Sequence, residues 1–157
     1  MSERIQLRRT KGWRMPPNTV KVDRSTRWGN PWIVGRPGRL DTRLVIYELP
    51  RALDAMEAVL QFESWIDGYA IPNGMRPDNL TKVGRRAIWD ELASRRARIF
   101  ECLHDLRGKN LACWCSITAP DSYVPCHADV LLSIANDIPL EEVIRENYRR
   151  AKGEALQ

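Results

Sequence analysis

Residues 4–10 (Arg-Ile-Gln-Leu-Arg-Arg-Thr) alternate apolar and polar side chains, and so do residues 19–23 (Thr-Val-Lys-Val-Asp). A period of two puts one face of a strand against a core, so both segments predict short strands. Gly12 and the Pro16-Pro17 pair mark the loop between them. Residues 24–39 contain Gly29, Pro31, Gly35, Pro37 and Gly38, a density of breakers that predicts an ordered loop or a lid. Residues 44–47 fit a further strand or the lead-in to a helix. From 51 to 69 the period becomes helical, with Leu53, Met56, Val59, Leu60 and Ile66 on one stripe. A loop over 70–81 separates this from a second helix over 85–104, expected to turn Ile88, Leu92, Ile99, Phe100 and Leu103 inward. Gly108 stops that helix, and residues 109–113 have the form of a short buried strand. After a loop over 116–125, Ala128, Val130, Leu131 and Ile134 give a third helix its apolar side. Pro139, followed by Glu141 and Glu142 in the first turn, opens a fourth helix that runs to about residue 152.

Strands first, then helix, helix, strand, helix, helix is the order of an α/β fold. The expectation is a single compact domain over residues 1–157, a small mixed sheet flanked by about four helices. Its first part, 1–50, is basic and strand-rich, and 51–152 is mainly helical. A chain of 157 residues with 43% apolar and 29% charged side chains has the composition of a soluble globular protein. No apolar run approaches the ~20 residues of a membrane span, and the start of the chain has no signal-peptide stretch. A cytoplasmic location without a membrane partner is therefore expected, and there the four cysteines are free, metal-bound or reactive rather than disulfide-paired.

Net charge is +5, but it is unevenly distributed. Residues 1–43 carry eleven basic side chains against Glu3, Asp23 and Asp41, and twenty of the twenty-five basic residues in the chain are arginine. Arginine suits bidentate phosphate contacts and stacking on flat rings. Trp13, Trp28 and Trp32 are interleaved with these arginines, a pattern that fits either a nucleotide or nucleic-acid surface or a solvated basic face over buried tryptophans.

The densest chemistry lies later. Cys113, Cys115, Cys126 and His127 fall within fifteen residues. Cys113 and Cys115, two apart on a strand, would present their sulfurs to one face. Cys126 and His127 stand where the third helix should begin. Four Cys and His ligands are the donor set of a zinc site. Adjacent helical positions point about 100° apart, however, so joint binding by Cys126 and His127 would be strained, with Cys102 or His104 as substitutes. The second candidate is nucleophilic chemistry: Cys126 at a helix N-terminus would have a lowered pKa, with His127 or His104 as base. Asp129 in the first turn is a candidate acid or base, although favourable charge at a helix start explains it more simply. Burial as a small apolar residue suits Cys102 best.

Residues 24–32 follow a strand directly, as ligand loops of α/β folds do. Arg24 and Arg27 would clamp a phosphate, Ser25 would donate a hydroxyl bond, Trp28 would stack on a base and Asn30 would read its edge. A tight turn with its tryptophan in the core is the structural alternative. Lys82, Arg85 and Arg86 oppose the dipole at the start of the second helix, a conflict that a bound phosphate would remove.

Three segments carry a resemblance: Arg-Ser-Thr-Arg-Trp-Gly-Asn-Pro over 24–31, Leu-Arg-Gly-Lys-Asn-Leu-Ala-Cys-Trp-Cys over 106–115 and Cys-His-Ala-Asp-Val-Leu over 126–131. The chain resembles a family of small bacterial and phage proteins containing a domain of unknown function with these motifs. The resemblance implies an intracellular protein of bacterial or phage type whose working parts are those motifs. Two functions are expected from these features. One is an enzyme processing a nucleotide, nucleoside or nucleic-acid base, with Cys126, His127 and Asp129 as catalytic residues. Deamination is disfavoured, because no His-x-Glu segment accompanies a Cys-x-x-Cys pair. The alternative is a non-catalytic module, stabilised by zinc, that binds nucleic acid or a nucleotide.

Overall fold

The alternating segments at the start of the chain flank a later apolar strand in the computed structural model, which describes residues 2–154. The expected domain limits at residues 1 and 157 lie outside the described residues. In chain order the elements are β1 (Arg4–Gln6), β2 (Thr19–Lys21), β3 (Trp32–Ile33), β4 (Arg39–Asp41), β5 (Ile46–Glu48), α1 (Ala55–Ile66), α2 (Lys82–Cys102), β6 (Asn110–Cys113), β7 (Thr118–Ala119), β8 (Ser122–Tyr123), α3 (His127–Asn136) and α4 (Leu140–Ala151). The chain is thus α/β, with four helices and small sheets of two or three strands. It divides into two compact units. One runs up to Gly29 and resumes at Cys102; the other is Asn30–Glu101, inserted between β2 and β6 of the first.

The first unit is built on a parallel sheet in the order β1-β6-β2. Ile5 faces Ala112 across one pair, and Val20 faces Leu111 across the other. Leu111, Ala112 and Cys113 of the central strand are consecutive buried residues rather than an alternating pattern, as in parallel sheets covered on both faces. Helix α3 supplies Ala128, Val130, Leu131 and Leu132 to this core, and Val143 of α4 joins them. Helix α4 has Pro139 at its N-cap, two glutamates in its first turn and Arg149 and Arg150 in its last, so its charges follow its dipole as expected. The loop over 116–125 folds into the β7–β8 hairpin, which the two prolines there concealed.

In the second unit, the breaker-rich stretch expected to be a loop contributes β3 and part of an antiparallel sheet β3-β4-β5. Strands this short leave the glycines and prolines in the turns between them, so breaker density alone did not exclude pairing. Helix α1 starts at Ala55 rather than 51, because Asp54 and Glu57 form a capping box: the Asp54 carboxylate accepts the Glu57 N–H at 2.8 Å and the Glu57 carboxylate accepts the Asp54 N–H at 3.0 Å. Its buried face also differs from the expected stripe. Val59 and Ile66 are buried, but Met56 and Leu60 are about half exposed, and Ala58, Gln61, Phe62 and Trp65 face inward. Large rings gain most from burial, and Phe62 and Trp65 claim the core together with Trp32. The Trp32–Trp65 and Phe62–Trp65 centroids lie 5.8 and 5.7 Å apart. In α2, Ile88, Leu92 and Ile99 are buried as expected. Phe100 is instead 43% exposed and carries the Arg96 guanidinium on its ring, and Leu103 is half-buried in a 3₁₀ turn after the helix.

This assignment of the α1 face predicts unequal costs for two neighbouring truncations. Phe62→Ala should lower stability by about 3–5 kcal/mol. Leu60→Ala should change it by less than about 0.5 kcal/mol. Urea unfolding followed by circular dichroism measures both, and similar losses at the two positions would refute the assignment.

Candidate metal centre

Strand β6 ends at Cys113, and α3 begins just after Cys126, so the carboxyl edge of the parallel sheet and the amino end of a helix meet at two thiols. The Cys113 and Cys126 sulfurs are 3.3 Å apart, and the Cys126 sulfur is 3.3 Å from Nδ1 of His127. All three residues are buried, and their ligand atoms lie within 4.8 Å of one another, a cluster able to hold a metal ion. The expected conflict between adjacent helical positions does not arise. Cys126 is the N-cap, in extended backbone (φ −144°, ψ 156°), and only His127 has begun the helix. The 100° rule therefore does not apply to the pair.

The imidazole has a fixed orientation. Its Nε2 lies 2.7 Å from the carbonyl oxygen of Val22, an acceptor only, so Nε2 carries the proton and Nδ1 presents its lone pair to the cysteine sulfurs. Burial lowers the His127 pKa, which keeps the ring neutral. The three thiols act on one another. Hydrogen bonding with Cys113 and Cys126 pulls the Cys115 thiol far below its ordinary range. The same contact with Cys115, together with burial, pushes Cys113 up to about 12. Cys126 is also raised, first by Cys113 and Cys115 and then by burial. The lowered pKa expected for Cys126 from the helix dipole is thus reversed by its sulfur neighbours. Cys115 is the exposed member of the group. Cys115 also donates its backbone N–H to the Cys113 sulfur at 3.2 Å. The proposed substitutes lie elsewhere: Cys102 accepts a hydrogen bond from Arg27 at 2.8 Å, and His104 pairs with Asp105 at 3.1 Å.

Asp129 is fully buried beneath this cluster. Its carboxylate accepts from Arg4 Nη1 at 2.9 Å, the Tyr123 hydroxyl at 2.7 Å, Asn147 Nδ2 at 3.1 Å and the Cys126 N–H at 2.9 Å. Four donors fill the acceptor capacity of a carboxylate, so Asp129 ties the start of α3 to β1, β8 and α4. Arg4 reaches further, to the carbonyl oxygens of Val124 at 2.7 Å and of Ser116, and stacks over the Tyr123 ring. Burial alone would lower the Arg4 pKa, but nearby Cys126, Asp129 and Tyr123 raise it above the usual arginine value. Arg4, Tyr123 and Asn147 were missed in the sequence. Their partners lie 125, 6 and 18 residues away, and no local pattern marks them.

Along the same edge, β2 leads into the basic loop through Asp23. One Asp23 oxygen accepts from the Ser25 N–H and hydroxyl, and the other accepts from Trp114 Nε1 at 2.8 Å and pairs with Lys21. The Asp-x-Ser spacing is a turn signal that could have identified it. Ser25 is therefore engaged in the turn. Gly29 permits the loop to close, since a Cβ there would lie 2.5 Å from the Arg24 Cα. Arg24 and Arg27 are exposed, whereas Trp28 is 6% exposed, which leaves little of its ring for stacking on a base. Asn30 belongs to the second unit, where its amide is used internally: Oδ1 accepts the Trp32 N–H and Nδ2 donates to Ala58 O, both at 2.9 Å. Trp114, 43% exposed and stacked under Arg9 at 5.0 Å, is the accessible aromatic ring on this edge.

A three-stranded parallel sheet with a thiol–imidazole cluster at its carboxyl edge defines an α/β protein with a candidate metal centre. The chain belongs to the family described as Domain of unknown function (DUF4326), whose profile matches residues 5–137, a span that includes the whole cluster. No curated protein and no solved structure matches the chain. Among the described residues, no helix is long and apolar enough to cross a membrane.

Two outcomes follow from these contacts. Arg4→Met leaves Asp129 buried without its cation and should lower stability by about 3–5 kcal/mol. Chemical unfolding tests this, and a loss below about 1 kcal/mol would contradict it. Asp23 supplies a pH signature. Burial favours its neutral form, but hydrogen bonds from Ser25, Lys21 and Trp114 prevail and hold its pKa below the ordinary 3.8. A folded-state pKa below the unfolded one contributes stability that is complete above the ordinary value and is lost as pH falls through the lowered one. The stability gap between the parent chain and Asp23→Asn should therefore be constant from about pH 5 to 7 and narrow below about pH 4. A gap that widens on acidification would reverse the assignment.

Proposed function

We propose that Cys113, Cys126 and His127 hold a zinc ion, and that the carboxyl edge carrying Arg9, Arg24, Arg27 and Trp114 binds the phosphate or base of a nucleotide or nucleic acid. One observation carries the metal reading: Nε2–H of His127 is anchored on Val22 O, so Nδ1 can only face the two sulfurs. This is the outer-shell support that ligating histidines receive. The donor set of two thiolates and a neutral imidazole suits zinc. Zinc–sulfur bonds of about 2.3 Å place tetrahedral sulfurs about 3.8 Å apart, so the 3.3 Å pair needs to open by only about half an ångström. Cys115, on the exposed side, is the fourth ligand of a closed structural site.

The nucleotide part of the reading rests on position and composition. Ligands of open parallel sheets lie beyond the carboxyl ends of the strands, and this edge joins exposed arginines to an exposed indole. Enzymatic processing is the second reading, and Cys115 is the observation that favours it. If this exposed, readily ionised thiol is not a ligand, the metal retains an open position where it would supply Lewis acidity or an activated water. His127 would then remain a ligand, and Asp129 would support the centre through its bond to the Cys126 N–H.

Protein purified untagged and without chelator should contain about one zinc per chain by mass spectrometry. His127→Gln should reduce that to less than about a tenth and make thermal unfolding insensitive to added zinc. Cys115→Ser separates the two readings: zinc lost with Cys115 indicates the closed, non-catalytic site, and zinc retained indicates the open one. Metal-free protein with all four thiols rapidly labelled, and no thermal shift with zinc, would sink both.

A further inference from the structure

Helix α2 carries an unexplained pattern in the second unit. Lys82, Arg85, Arg86, Trp89, Ala93 and Arg96 recur at spacings of three and four, so they share one face of the helix. That face lines two adjoining clefts. The first, about 840 Å³, is bordered by Arg76, Lys82, Arg85, Arg86 and Trp89, and the second, about 470 Å³, by Tyr69, Arg76, Trp89 and Arg96. Arg76 and Trp89 border both, so the clefts form one track.

The charge along this track is not balanced from within. Its one acidic residue, Asp90, is held by Arg86 through contacts of 3.0 and 3.2 Å. Lys82 and Arg85 have no acidic partner among the described residues. No acid occupies the first turn, so Lys82 and Arg85 oppose the helix dipole and weaken the helix. An anionic ligand would turn this conflict into attraction.

The rings narrow the class of ligand. Tyr69 is 69% exposed and Trp89 half-buried, beside cations rather than within an apolar core. Flat rings alternating with phosphate-binding cations are the elements of a single-strand track, where bases stack and the backbone follows the charge. From Lys82 to Arg96 the helix rises by about 20 Å, further than one nucleotide extends. A duplex keeps its bases stacked on one another and would leave these rings without a partner. We propose that the cleft along α2 binds single-stranded nucleic acid, with Lys82, Arg85 and Arg86 on phosphates and Tyr69 and Trp89 under bases. This site is separate from the thiol cluster and does not depend on the zinc reading.

The test is fluorescence anisotropy of the full chain with a labelled oligodeoxythymidine of about twelve nucleotides, between about 50 and 200 mM salt. Changing Lys82, Arg85 and Arg86 together to alanine should make the slope of log affinity against log salt shallower by about 2. Tyr69→Ala removes an exposed ring without disturbing the core and should weaken binding about 5- to 100-fold. Matched duplex should bind at least about tenfold more weakly than the single strand. Equal affinity for duplex, an unchanged slope in the triple variant or unchanged affinity in Tyr69→Ala would each overturn the proposal. So would competition by inorganic phosphate alone at equal charge concentration. Loss of binding in an Arg24→Ala/Arg27→Ala variant, with the triple variant unaffected, would overturn it in favour of the first unit.

Discussion

The first unit depends on one buried ion pair, Arg4 with Asp129, both side chains removed from solvent. Burying two charges is expensive unless each is surrounded by partners. Asp129 meets that condition with four donors. Arg4 nearly does: Nη1 and Nη2 are bonded, while Nε is buried without a hydrogen-bond partner among the described residues. Such a pair is weak evidence of net stability but strong evidence of register. Arg4 lies on β1, Tyr123 on β8, Asp129 on α3 and Asn147 on α4, so four elements must be in place before either charge is satisfied. The same carboxylate accepts the Cys126 N–H, which fixes where α3 starts. The spacing of the thiols and the imidazole is therefore inherited from a charge pair beneath them.

That dependence explains how a site emerges from a very small sheet. Three parallel strands of three or four residues offer a short carboxyl edge. Cys113 ends the central strand, Val22 follows β2 and receives the His127 proton donor, and Trp114 turns back to Asp23. The end of β6 thus contributes a ligand atom, and the end of β2 the bond that orients another. The second unit is inserted in the chain after Gly29, and β2 and β6 on either side of the insertion are aligned by their own ladder.

Much of this was legible where the signal was local. Crowding of Cys113, Cys126 and His127 pointed to a cluster, the Leu-Ala-Cys run to a buried strand, and Pro139 with two glutamates to the start of α4. Asp54 and Glu57 are also readable as a capping box, which places the helix start after 51 although the apolar stripe begins earlier, at Leu53. What stayed hidden was long-range or depended on competition. Nothing near Arg4 in the chain distinguishes it from the exposed arginines of the same basic stretch; only a carboxylate 125 residues away does. The stripe on α1 was rotated because Phe62 and Trp65 outcompete Met56 and Leu60 for the same core. Trp28 and Asn30 have the residue types of a ligand loop, but the same ring and amide serve equally well to close a turn and bury its contents.

Net charge invites a similar correction. A basic count treats every arginine as available to a ligand, yet several are structural. Arg4 is sealed under the thiol cluster, and Arg95 is buried on α2, its pKa lowered to about 10 by burial and then by Arg43, with its guanidinium donating to Asp41 O. These side chains add to the formal charge without adding to the surface a partner meets. Lys82 and Arg85 are the opposite case: exposed, placed against the helix dipole and without an acidic partner among the described residues. A fold gains nothing from cations in such positions, so they say more about an anionic partner than the total of +5 does. The acidic balance of residues 44–157 concealed them, because their charge is cancelled in the count by carboxylates that they do not touch.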